Sequence, residues 1–141
     1  MSVITSLSIV ALSLIGLLHF YWALGGKFAV KQAIPTKNGI PLIKPGKIAT
    51  VSVGMALFGF ALIAYMLYFY DLSFSPYHDY VVTSGWVLSG VFTLRAIGEC
   101  NTVGLFKKIK SSEFAYYDTR LYTPFALTMG IVFAVLAYRV G

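Results

Sequence analysis

Residues 48–70 read IATVSVGMALFGFALIAYMLYFY, an apolar run with no charged side chain in it. A hydrocarbon core about 30 Å thick is crossed by about 20 helical residues at 1.5 Å each. The run therefore has the length of a transmembrane helix. It shows no period-two alternation, so a strand of a membrane barrel is excluded. Working outward, three more stretches meet the same test: 3–24, 81–104 and 121–140. The fold class that follows is all-α: an integral membrane four-helix bundle, one domain over residues 1–141.

Composition agrees. Hydrophobic residues make up 58% of the chain and charged residues 11%, where a soluble domain carries about 25% charged residues. The first apolar stretch is read as a span, not as a cleaved leader. It has no basic residues ahead of it and exceeds the roughly 7–15 residues of a secretory core. It also carries Phe20, Tyr21 and Trp22 where small residues would be needed.

Direction comes from the cations. Lys27, Lys31, Lys37, Lys44 and Lys47 fall in the first connection; Lys107, Lys108, Lys110 and Arg120 fall in the third. Arg139, Asp71 and Asp79 lie toward the other side. The positive-inside rule places both basic loops in the cytoplasm and both termini outside. Tyr65, Tyr68, Tyr70, Tyr77 and Tyr80 gather at the outer boundary as an aromatic belt. The net charge of +6 is thus juxtamembrane, fitted to anionic lipid headgroups, and no nucleic-acid face forms.

The connections carry signals of their own. Around Asn38-Gly39, with Pro35 and Pro41 on either side, the first loop reads as a hairpin-like cap or a loose linker. Basic and aromatic residues alternate from Phe106 to Tyr117, the pattern of a short interfacial helix. Thr123-Pro124 reads as a helix start, or as a kink if the helix begins at Asp118. Gly85 and Ser89 form a small-xxx-small face suited to helix packing.

Ionisable groups at membrane depth are costly and mark functional candidates. Arg95 and Glu99, four apart, share a face of the third span. They stand ~13 Å and ~7 Å from the inner end of that apolar run. His19 lies level with Glu99 on the first span, with Trp22 one turn on. Asp118, Arg120 and Tyr122 open the fourth. These seven residues define a candidate polar pocket in the cytoplasmic half. Each also has a plain structural reading: Arg95–Glu99 as a register-setting ion pair, His19 as an interhelical hydrogen bonder, Asp118 as a helix cap and Trp22 as an interfacial anchor. No cofactor or metal is expected. The two histidines, His19 and His78, belong to opposite faces, and Cys100 is the sole cysteine. No phosphate-binding loop or nucleophile elbow is present.

Four stretches carry a family resemblance: His19 to Gly26, Leu94 to Glu99, Val103 to Lys107, and Phe114 to Pro124. In order and over essentially the whole length, the chain resembles the bacterial membrane family called domain of unknown function 3995. The resemblance implies a small four-span protein of the bacterial inner (plasma) membrane and carries no established activity. Where that pattern has aspartate followed by basic and aromatic residues, this chain has Glu99, Asn101 and Thr102.

The functional expectation is a cytoplasm-facing pocket for a small polar or lipid-headgroup ligand. Arg95 and Arg120 would hold its anionic group, and Glu99 with His19 would move a proton. Two other classes stay open: a proton-coupled transporter acting as a homodimer, and a structural partner subunit. Membrane lipids are the expected partners. Topology is tested by single-cysteine labelling in intact cells on a background lacking Cys100. An impermeant reagent should label position 71 and leave positions 37 and 108 untouched; labelling at position 37 would reverse the orientation.

Overall fold

The computed structural model describes residues 1–38, 40–98, 103–108 and 112–141. It contains α1 (Ser2–Ala23), a short α2 (Val30–Ala33), a hairpin of β1 (Thr36–Lys37) and β2 (Ile40–Pro41), α3 (Lys47–Phe69) and α4 (His78–Ile97). A last long helix is built from α5 (Glu113–Tyr117), a wide π-type turn (Asp118–Tyr122) and α6 (Thr123–Val140). The helices Ser2–Ala23, Lys47–Phe69, His78–Ile97 and Glu113–Val140 are long and apolar enough to cross a membrane. They run up and down, so the two lysine-rich connections share one end of the bundle. Leu7, Leu14 and Leu17 on α1, Leu62 on α3 and Leu94 on α4 point outward. Rows of exposed apolar side chains on this scale suit hydrocarbon, not water.

Small residues decide how the helices pair. At the crossing of α1 and α3, a Cβ on Gly16 would stand 3.2 Å from Gly54 O, and one on Gly54 would stand 3.1 Å from Gly16 O. At the crossing of α4 and α6, a Cβ on Gly85 would stand 3.0 Å from Ala137 Cβ, and the Ser89 hydroxyl donates to Gly130 O at 2.8 Å. Such close backbone approach is what holds helices together where no hydrophobic effect acts between them. The small-residue face expected at Gly85 and Ser89 is therefore the one that packs. Within the α4–α6 pair Phe92 stacks on Phe133 at 5.8 Å, and between the two pairs Phe92 meets Phe60 of α3 edge-on at 5.9 Å. Leu12, Ala64, Leu88 and Leu136 complete the buried centre.

Of the two readings of the first loop, the hairpin is the one observed. Thr36 pairs with Pro41 and Lys37 with Ile40, and Leu42 N–H donates to Pro35 O at 2.9 Å. Asn38 supplies the positive φ of 52° that a two-residue turn demands; Gly39 lies outside the described residues.

Two helix ends differ from the apolar runs. The third span begins at His78 and stops at Ile97, although apolar sequence continues to Gly104. Gly98 turns the chain with φ 80° and Gly104 with φ 88°. Leu105 N–H then returns to Ala96 O at 3.0 Å, tucking 103–107 beneath the helix end. Arg95 is consequently in the last turn of its helix and not ~13 Å inside it. The fourth helix starts at Glu113, well before residue 121, capped by Ser112 Oγ accepting from Ala115 N–H at 3.1 Å. Of the segment expected to lie flat as an interfacial helix, Phe106 to Tyr117, residues Glu113–Tyr117 instead supply this first turn, and 109–111 lie outside the described residues.

Pro124 thus falls inside a continuous helix. It has no N–H to offer, and its ring crowds the carbonyl four residues back. The chain widens just ahead of it: Thr123 N–H reaches Asp118 O, a spacing of five residues.

At Gly98 an added Cβ would run into the Val103 carbonyl oxygen, whereas at Gly90 it would meet nothing within 4 Å. Gly98→Ala should cost about 2–4 kcal/mol or abolish accumulation, with Gly90→Ala within about 0.5 kcal/mol of the parent. Thermal unfolding of the two purified variants in one detergent checks the contrast.

Candidate functional site

Among the described residues, Asp118 is the most heavily bonded side chain. The π-type turn sets it inward at the basic end, where it is 0% exposed. Its Oδ1 accepts from Arg95 Nη2 at 2.8 Å. Its Oδ2 accepts from Lys107 Nζ at 2.8 Å, Gly104 N–H at 2.9 Å and Thr123 Oγ1 at 3.3 Å. Lys107 is itself only 5% exposed and reaches Gly104 O at 3.4 Å as well. One carboxylate thus joins the end of α4, the tucked segment 103–107 and the start of α6. The glycines make this possible: the chain must reverse twice within a few residues for the Gly104 amide to face the carboxylate. Arg95 Nη1 is buried and has no partner among the described residues.

A second constellation lies beside it, on the other helix pair. A cavity of about 530 Å³ opens at the basic end between α1, α2, the hairpin and the first turns of α3. His19 and Trp22 form one wall, their rings edge to face with centroids 5.0 Å apart. His19 Nδ1 lies 2.8 Å from Ile15 O, its own helix's carbonyl. The bond is therefore intrahelical, not interhelical, and it directs the ring proton to Nδ1, which leaves Nε2 as the acceptor of the neutral ring. Trp22 Nε1 donates to Phe28 O at 2.7 Å, fixing the chain as it leaves α1. Lys27, Lys44 and Thr50 add polar atoms; Val30, Ile34 and Val53 supply apolar lining.

The seven residues singled out from the sequence are thus divided. Arg95 and Asp118 meet in the buried cluster; His19 and Trp22 meet in the cavity. Arg120 belongs to neither: its guanidinium lies over the Tyr116 ring, 4.4 Å from the centroid, and donates to that residue's hydroxyl on the surface. Tyr122 connects the two places. Its hydroxyl donates to Gln32 O at 3.2 Å, and its ring lies 5.9 Å from that of Phe114. Gln32 also donates to Glu113 at 3.1 Å, so α2, a wall of the cavity, is held by the start of the last helix. Glu99, with its proposed pairing to Arg95 and coupling to His19, lies outside the described residues.

Lys107 escaped notice because a lysine in a basic loop looks solvated. The two glycines nearby, at 98 and 104, were the available sign that this loop folds back on itself. Lys44 and Thr50 gave no signal, since only the tertiary fold brings them opposite His19.

The bundle with these two constellations defines a class of small all-α proteins with four membrane-length helices. Within that class the chain belongs to the family described as protein of unknown function (DUF3995), whose model matches residues 12–133. The match spans His19, Arg95, Lys107 and Asp118. No curated protein and no solved structure matches the chain.

Removing one member of a buried ionic group leaves the others' charge stranded, at about 3–5 kcal/mol. Asp118→Ala strands two cations and should fall in or above that range. Lys107→Met leaves Asp118 with Arg95 and should cost less, while Arg120→Ala should stay below about 1 kcal/mol. Unfolding midpoints of the three variants give the order, and an Asp118→Ala protein as stable as Arg120→Ala would remove Asp118 from its central place.

Proposed function

We propose that the protein is a multi-pass component of the bacterial inner membrane whose cytoplasm-facing cavity binds a small amphiphile with an anionic headgroup. The observation that carries this reading is the lining of the 530 Å³ cavity: two lysines and a histidine beside a mainly apolar wall. Small-ligand sites of roughly 300–1,000 Å³ combine apolar lining with a few placed polar groups, and this cavity has that character.

In this reading Lys27 and Lys44 hold the headgroup as point charges. His19 Nε2 accepts a proton or hydrogen bond from it, and Val30, Ile34 and Val53 face its apolar part. Trp22 shapes the wall through its bond to Phe28 O. The opening lies at the lysine-rich end, where anionic lipid would concentrate. The Arg95–Lys107–Asp118 cluster is assigned a different task. Its carboxylate is dry and fully engaged, which fits a packing lock better than a ligand site.

A juxtamembrane lysine is worth about 1 kcal/mol toward an anionic lipid surface. Lys27→Gln with Lys44→Gln should therefore weaken retention of phosphatidylglycerol roughly 30-fold. Native mass spectrometry of protein released from phosphatidylglycerol nanodiscs measures this. Ala49→Phe, which fills the cavity and leaves every charge in place, should weaken retention as well. Loss with the lysine variant alone would mean surface attraction without a site, and loss with neither would overturn the reading.

A further inference from the structure

The opposite end of the bundle holds a second cavity, of about 420 Å³. Its floor is apolar: Leu67, Leu72 and Leu136 are all buried. Its rim carries both signs of charge, Asp71 from the α3–α4 connection and Arg139 from the end of α6.

Each charge is oriented by its surroundings. Asp71 Oδ1 accepts from Ser73 N–H at 3.0 Å, an Asx turn that fixes the carboxylate relative to the loop. That backbone bond, helped by the Ser73 hydroxyl, holds the Asp71 carboxyl below its ordinary range, so it is anionic at neutral pH. Arg139 sets its guanidinium over the Tyr68 ring, 5.5 Å from the centroid. Tyr70 lines the same space. His78 braces the walls: its Nε2 lies 3.2 Å from Val140 O, joining the start of α4 to the end of α6.

Among the described residues the ion pairs are His78–Asp79, Arg95–Asp118 and Lys107–Asp118. Asp71 and Arg139 therefore line one cavity without closing on each other. Opposite charges held apart across a small apolar-floored space match a molecule that carries both charges itself. A simple anion would be repelled by Asp71, and a simple cation by Arg139.

We propose that this outer-end cavity binds a small zwitterion. Its ammonium sits against Asp71 and the Tyr70 ring, and its acidic group pairs with Arg139. This chemistry comes from two sources: the headgroup of phosphatidylethanolamine, or a free amino-acid-like solute.

The soluble probe is O-phosphoethanolamine, titrated calorimetrically into detergent-solubilised protein, with inorganic phosphate and ethylammonium as single-charge controls. The zwitterion should bind at least about tenfold more tightly than either control. Asp71→Asn and Arg139→Gln should each weaken it at least about tenfold; both positions are exposed, so unfolding midpoints should hold. Arg139→Lys keeps the charge and should retain most of the binding. Nanodiscs separate the sources: retention of phosphatidylethanolamine over phosphatidylglycerol, lost in Asp71→Asn, assigns the headgroup, whereas micellar binding with no lipid preference assigns a free solute. Phosphate binding as tightly as the zwitterion, or no saturable zwitterion binding together with no lipid preference, would overturn the proposal.

Discussion

A single buried carboxylate organises the basic end of this protein. Asp118 stands at 0% exposure and takes bonds from Arg95, Lys107, Thr123 and the Gly104 amide. A charge without solvent is tolerable only when its lone pairs are satisfied. Everything nearby serves that condition: the π-type turn that faces Asp118 inward, the two glycines that fold 103–107 back, and the lysine drawn under the helix end. Because the donors come from separate segments, satisfying the carboxylate also fixes where α4 stops and where the last helix begins.

The same turn reaches across to the other helix pair. Tyr122, inside it, holds Gln32, and Glu113 at the helix start accepts from the Gln32 side chain. These bonds seat α2, and α2 walls the cavity that contains His19 and Trp22. The α1–α3 pair and the α4–α6 pair each close tightly through glycines, while the contact between pairs rests on larger side chains such as Phe60 against Phe92. The space at the basic end is left because the α1–α3 crossing at Gly16 and Gly54 is tight, while the connection beyond it is long enough to arch outward. Packing and cavity are consequences of one arrangement.

The two ends differ in chemistry. The basic end offers lysines and a histidine over apolar walls; the opposite end offers a fixed carboxylate and a guanidinium above a leucine floor. Such a division follows from topology, since an up-and-down bundle sends alternate connections to opposite ends and the lysines are confined to alternate connections.

The apolar runs by themselves determined four helices, their order and the end at which lysines collect, because length and hydropathy are local properties summed over about 20 residues. The Asn38-Gly39 turn and the Gly85/Ser89 packing face were legible for the same reason: each depends on a residue's own backbone freedom or size. Tertiary structure alone decided that α4 ends at Ile97, that Asp118 meets Arg95, and that His19 shares a cavity with Lys44 while Arg120 lies over Tyr116. A composition window cannot register a positive φ at Gly98, nor the widened turn that Pro124 forces on a helix already begun. Depth along a helix likewise told nothing of which helix was its neighbour. Residues at one level were grouped as a single pocket, but small-residue crossings paired α1 with α3 and α4 with α6, and that pairing distributed the polar groups between two places.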